Sequence, residues 1–199
     1  MSVRTAMAIM FVAALTTWSS AIHSAFAQAA PAKTSFEITG LKPIARQAPN
    51  YGIGSGDLGG DIPAANKPWV RIEVEFESKL EWADDVQLRY YVLMGKGKEA
   101  KLFVGEMTLV NVAKGSKHYA AMFLHPNTLD RFGRGSVEGI AVELRYGGQL
   151  MDTRSDPKTG KAWWNDFRPT QGFLLPPSRT PWAPVAHRRF EAEKVPTTP

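Results

Sequence analysis

The sequence predicts an all-β protein: an Ig-like antiparallel β-sandwich of about seven strands with a C-terminal strap rich in proline and aromatic residues. Three observations carry that prediction. Apolar and polar residues alternate with a period of two along several segments, Gly- and Pro-containing turn signals recur between those segments, and no stretch sustains the 3.6-residue period of a long helix.

The segments run in order as follows. Residues 35–38 give a first short strand. Residues 69–77 place Val70, Ile72, Val74 and Phe76 on one face and Arg71, Glu73, Glu75 and Glu77 on the other, the pattern of a half-buried strand. Residues 86–94 repeat it, with Val86, Leu88, Tyr90 and Val92 inward. A Gly-Lys-Gly-Lys turn at 95–98 leads to 102–112, which is β-branched but mixed on both faces, and Gly105 there predicts a bulge. Strands follow at 117–125 and at 136–146, the latter with Ile140, Val142, Leu144 and Tyr146 in register. Gly147-Gly148 reads as a tight hairpin turn into 149–154, and Asp156-Pro157-Lys158-Thr159-Gly160 as a further turn. Two short helical turns are expected, at 126–132 and 162–167.

Composition changes after about residue 161. Residues 172–184 hold Pro176, Pro177, Pro181 and Pro184, so this stretch must be extended and barred from the inside of a sheet. Its apolar side chains nonetheless need cover. The chain therefore divides into a signal peptide at 1–27, a β-sandwich domain at 28–160, and a strap at 161–199 that packs on the sandwich and ends in a charged tail from His187, fraying near Pro196.

The first 27 residues read as an export signal. Arg4 supplies the positive start, residues 6–15 are almost wholly apolar, and Ala25-Phe26-Ala27 fits a small-x-small cleavage site. The apolar run is about half of the roughly 20 residues that span a bilayer. The expectation is a chain that is soluble after signal cleavage, periplasmic or secreted to the cell surface. With no cysteine, disulfides, thiolate metal sites and cysteine nucleophiles are excluded. The formal net charge of +5 falls by one when Arg4 leaves. That mild excess suits an anionic cell surface or acidic glycans, though the charges are interspersed and the one dense basic spot in the sequence is His187-Arg188-Arg189. No nucleic acid is expected as a partner, because no recognition helix, zinc-finger spacing or RNP-type motif accompanies the charge.

Residues 52–61, GIGSGDLGGD, contain a G-x-G-x-x-G match at Gly54, Gly56 and Gly59. A dinucleotide loop must follow a buried strand and open a helix. Here a poor strand precedes and a Pro-containing stretch leading into a strand follows, so the match is accidental and no cofactor is expected. Asp57 and Asp61 offer calcium two carboxylates where six to eight oxygens are wanted, at best a weak site. The run reads instead as a flexible loop of the kind that carries partner contacts.

His118 and His125 differ by seven positions on one strand, point to opposite faces and cannot share a metal without a bulge. Neither H-E-x-x-H nor G-x-S-x-G occurs, so no metal or triad enzyme is expected and no catalytic residue is assigned. Glu73, Glu75 and Glu77 lie within the carboxylate separation of a glycosidase pair, but they share an alternating strand's outer side and read as a solvated face answered by Arg71, Arg89 or Lys79.

The aromatic residues Trp163, Trp164, Phe167, Phe173, Trp182 and Phe190 form the strongest remaining signal. Aromatic rings stack on sugars and equally well on one another. Trp163, Trp164, Trp182 and Tyr51 are the candidate contacts for a protein partner or a glycan, and adjacent Trp163 and Trp164 are not both expected to be buried.

The signal, the cysteine-free seven-strand body, "WWNDF" at 163–167 and "TPWAPVAHRRFEAEK" at 180–194 together resemble exported Ig-like sandwich proteins of verrucomicrobial bacteria associated with type IV pilus components. The resemblance covers most of residues 33–194. It implies an immunoglobulin-like or OB-like β-fold and a part in pilus assembly or surface display, and brings no catalytic residues. The Cys-Trp-Cys pattern of antibody domains is absent. The functional expectation is an exported non-enzymatic interaction or assembly protein, with envelope or pilus proteins as partners, meeting them through exposed strand edges or the aromatic strap. The alternative is a carbohydrate-binding module using exposed aromatics.

Overall fold

The computed structural model describes residues 35–49, 51 and 67–195. Seven strands build the body: β1 (Phe36–Arg46), β2 (Trp69–Ala83), β3 (Val86–Met94), β4 (Lys101–Val110), β5 (Val112–Leu124), β6 (Gly139–Tyr146) and β7 (Gln149–Asp156). They form two sheets, β1-β2-β5 and β4-β3-β6-β7, all neighbours antiparallel. This is the two-layer order of an Ig-like sandwich, and each predicted strand has its counterpart. The signal peptide and the 52–61 glycine run, with Asp57 and Asp61, lie outside the described residues.

The inward sets read from the alternation are the core. Ile72, Val74 and Phe76 of β2 meet Val86, Leu88, Tyr90 and Val92 of β3 and Ile140, Val142 and Leu144 of β6, all essentially without solvent exposure. The chain changes sheets at two tight places at one end of the molecule. Between β2 and β3, Asp85 takes a positive φ of 60°. Between β4 and β5 a single residue, Asn111, takes φ 57°, and its N–H donates to Asp84 Oδ1 at 2.7 Å. Asn and Asp tolerate the left-handed region better than other side chains, so this pair of residues makes two crossovers possible without glycine. The hairpin from β6 to β7 turns on Gly147 and Gly148, both at positive φ, as a two-residue turn of this type requires.

On the side where β1 faces β7, the two sheets are tied by side chains standing in for a strand. The N–H of Ile38 donates to Asp152 Oδ2 at 2.7 Å, and Arg154 Nη1 donates to the Ile38 carbonyl at 2.9 Å. Ile38 sits beside the register shift in the β1–β2 ladder.

Gly105 corrects one expectation. The β3–β4 register runs through Tyr90 and Gly105 without a shift, so there is no bulge. A Cβ at this position would lie 2.6 Å from Met122 Cε and 2.7 Å from Leu174 Cβ. Glycine is there because the opposite sheet and the strap approach too closely for a side chain.

Candidate functional site

The strap follows a path around the open side of the sandwich, where β4 and β5 are the two sheet edges. It begins over the outer face of the β4-β3-β6-β7 sheet with a short helical turn, Trp163–Asp166. It then pairs parallel with β4 as β8 (Pro169–Gln171, against Leu102, Phe103 and Val104) and antiparallel with β5 as β9 (Leu174–Leu175). Next it crosses the outer face of the other sheet with Trp182 and Phe190. Finally it returns to β4 as β10 (Ala192–Glu193, against Val110 and Leu109). Its prolines are confined to sheet edges and turns, as a missing N–H demands.

On the β1-β2-β5 sheet the strap buries charge. Glu73, read from sequence as solvated, is 1% exposed. Arg189 donates to it twice, from Nη2 at 2.7 Å and Nε at 2.8 Å, and Arg71 Nη2 lies 2.9 Å from the same carboxylate. Burial alone would push the Glu73 carboxyl up, but the hydrogen bonds from Arg189 and the charges of Arg71, Arg189 and Lys42 outweigh it and hold it below its ordinary value. The alternation was correct and the environment was not: a strand's outer face is wet only if nothing is laid over it. Glu77 does behave as expected, with Lys79 at 3.7 Å. Nearby, His118 Nδ1 lies 2.8 Å from Glu191 Oε1, a second tie between β5 and the strap. The tail from His187 to Val195 is thus docked along much of its length, with Lys194 also hydrogen-bonded to Asp85 and Ser178 Oγ to Glu193.

The four candidate aromatic contacts divide between the two outer faces. Trp164 is buried, stacks on Tyr91 with ring centroids 5.4 Å apart, and donates from its indole to Glu143 Oε1 at 3.2 Å. Burial first, and then Glu143, pushes the Tyr91 phenol up to about 12. Trp163 is half-buried, edge-on to Trp164 and close over Gly139. Trp182 lies on the opposite sheet, stacked on Phe123 at 4.9 Å and edge-on to Trp69 at 5.7 Å. Tyr51 is exposed and donates its hydroxyl to the Pro181 carbonyl at 2.8 Å, beside Trp182. Tyr51 and Trp182 are therefore brought together, as are Trp163 and Trp164, but the two pairs are on different faces and make no single platform. Trp82, 69% exposed at the far end of β2, is the most solvent-accessible aromatic among the described residues. Trp82 lies beyond the strand read from sequence at 69–77, in the stretch by which β2 runs on to Ala83.

The two histidines have separate partners, His118 with Glu191 and His125 edge-on to Trp69 at 4.8 Å. Among the described residues no group of three His, Asp or Glu side chains is placed to hold a metal ion, and no helix is long and apolar enough to cross a membrane.

A cleft of about 960 Å³ opens between β4 and the strap. β8 covers β4 through Val104, and β10 covers it from Leu109. Between them the outer edge of β4 at Gly105, Glu106 and Met107 has no strand beside it among the described residues, and it forms the cleft wall. Met122 and Leu174 supply an apolar floor, and Pro176, Ala186 and Phe190 of the strap line the opposite side.

A family model matches residues 27–197. The fold is similar to that of a solved protein, a crystal structure from the verrucomicrobial bacterium Akkermansia muciniphila, with a TM-score of 0.64 and 22% sequence identity over 81% of this chain and 93% of that one. No curated protein matches the chain.

Proposed function

The chain belongs to the family matched over its residues 27–197, and on that premise we propose that it is an exported, non-enzymatic interaction protein of the cell envelope that works in type IV pilus-related assembly. The observation that carries this reading is the open segment of β4. A strand edge offers backbone N–H and C=O groups to any extended peptide, and this edge already accepts one short strand on each side of the gap. The occupant is an extended segment of an envelope partner, laid between β8 and β10 with an apolar side chain over Met122 and Leu174. Three residues of edge extend roughly 10 Å, enough for a short recognition strand and too little for a stable sheet-to-sheet dimer. The leader-like first 27 residues support the location, and the resemblance to exported pilus-associated sandwiches supports the choice of partner.

The test places a photocrosslinking amino acid at Glu106, which lines the gap with a largely exposed side chain 3.1 Å from Arg89 Nε, in the living source cell. An adduct with a pilin-like or secretin-like envelope protein is expected. Adducts confined to proteins outside pilus assembly, or none on illumination, would overturn the proposal.

A further inference from the structure

Among the described residues, folding builds a basic region that the sequence does not display. Of His187-Arg188-Arg189, the last is spent on Glu73. Instead, cations far apart in sequence converge at the end of the sandwich where β3 finishes and β5 leads into the helical turn Pro126–Thr128 and the π-turn Leu129–Gly133. A cleft of about 950 Å³ there is lined by the cations Lys96, Lys98, Lys101, Arg131 and Arg134 and by the carboxylates Glu99 and Glu138. A second, of about 450 Å³, shares Lys101, Arg131 and Phe132 with it and adds Arg168.

The two carboxylates offset only part of this charge. Glu138 lies 3.7 Å from Lys96 and Glu99 lies 3.5 Å from Arg134, both long contacts. The adjacent Asp130 is engaged by Lys67. Among the described residues no carboxylate comes within ion-pair distance of Lys98, Lys101, Arg131 or Arg168. Lys101 and Arg131 both lie over the Phe132 ring, at 5.0 and 4.7 Å from its centroid. Phe132 in turn packs on Phe103 and Phe173, so two of the cations are braced on a fixed ring. Like charges gathered on a rigid base repel one another, and a polyanion relieves that repulsion.

We infer that this joined cleft binds an acidic polysaccharide strand through the carboxylate or sulfate groups along it. The chemistry discriminates against other polyanions. A lipid surface wants apolar groups that enter the acyl layer, and the exposed large apolar residues Tyr51, Trp82, Leu150 and Val195 do not line either cleft. Single-stranded nucleic acid wants free aromatic faces for its bases, and Phe132 is already engaged by cations and by two other rings. Duplex DNA wants a helix or ribbon that enters a groove, which this concave end does not offer.

The experiment is binding of the full chain to heparin as the sulfated probe, polygalacturonate as the carboxylated probe, neutral dextran and single-stranded DNA of similar length, over a salt series. Lys98→Gln with Arg168→Gln removes two cations that, among the described residues, have no carboxylate within ion-pair distance and lie over no aromatic ring. Lys79→Gln with Lys114→Gln removes the same charge at the opposite end of the strands. Saturable binding of heparin or polygalacturonate is expected, weakened roughly threefold to tenfold by the first pair and unchanged by the second. The salt dependence should become shallower by about two counterions. Equal losses from both pairs would mean non-specific charge attraction and overturn the inference. So would tighter binding of DNA than of either acidic glycan, or no binding at about 0.15 M salt, where exposed charges are well screened.

Discussion

On the β1-β2-β5 sheet the outer face is closed by a carboxylate held between two guanidiniums, whereas on the β4-β3-β6-β7 sheet it is closed by an indole stacked on a phenol. Both closures are made by the same strap, and both cover residues that strand alternation points away from the core. They differ in what they demand. The Trp164–Tyr91 contact needs only shape and a partner for the indole N–H, which Glu143 supplies. The Glu73 contact needs charge balance, because a buried ion without its counter-ion is far more costly than a lost ring contact. The charged closure therefore specifies where the strap lies, and the aromatic one adds adhesion.

The largest expected effect breaks the charged closure. Glu73→Ala leaves Arg71 covered with no carboxylate beside it and should lower unfolding free energy by about 3–5 kcal/mol, read from urea denaturation. A loss below about 1 kcal/mol would mean that the triad is solvated in practice. Trp164→Ala tests the other face. It removes a buried ring and leaves Glu143 with Arg145 and the Tyr91 hydroxyl as partners, for an expected loss of about 3 kcal/mol. If it cost more than Glu73→Ala, the ranking of the two closures would be reversed.

Gly105→Ala probes the place where the strap passes between the two faces. The added methyl meets Leu174 Cβ, which cannot swing aside as the Met122 terminus can, and the expected loss is about 1–3 kcal/mol. A neutral result would show that β9 yields more readily than its packing implies.

Acid sharpens the contrast. Glu73 is held below its ordinary pKa in the folded chain. Its contribution is therefore complete above the unfolded carboxylate value, near about 4.3, and is lost as pH falls through the lower folded value. Glu73→Gln should remove this part of the acid sensitivity, so the stability gap between it and the parent should narrow from about pH 6 to about pH 3. A gap constant with pH would contradict the depressed carboxyl. The smallest effect belongs to the exposed pair Lys114–Glu81, 3.3 Å apart. Lys114→Gln should change stability by less than about 0.5 kcal/mol, and a larger change would show that exposed pairs here matter as much as covered ones.

How far the sequence was readable follows the same division. Strand alternation in β2, β3 and β6 reports one local fact, which side chains face the other sheet, and that fact survives folding. It carries no information on what a remote segment lays over the opposite face. The mixed pattern of 102–112 was the visible trace of this: Leu102 and Val104 face the strap while Phe103, Met107 and Leu109 face the core. Gly105 looked like a bulge because its true cause, the closeness of Met122 and Leu174, is non-local. Among the candidate contacts, the pairing of Trp163 with Trp164 is written in adjacency, but the meeting of Tyr51 with Pro181 joins residues 130 positions apart. The basic end could not be read at all, since Lys98, Arg131 and Arg168 become neighbours only after β4, β5 and the strap have turned back on themselves.

The separation of 116 positions between Glu73 and Arg189 also imposes an order of events. A chain emerging from its N-terminal side can assemble both layers before Arg189, the second of the two guanidiniums that balance Glu73, has joined them. Contacts this remote are among the last to form, so sealing by the C-terminal residues is expected to be the closing step of maturation. A chain cut short of Arg189 would lose the edge contact of Phe190 on Phe123 and leave Glu73 with Arg71 as its one guanidinium, a looser surface more open to proteases, which gives the cell a physical mark by which to tell a finished molecule from an unfinished one.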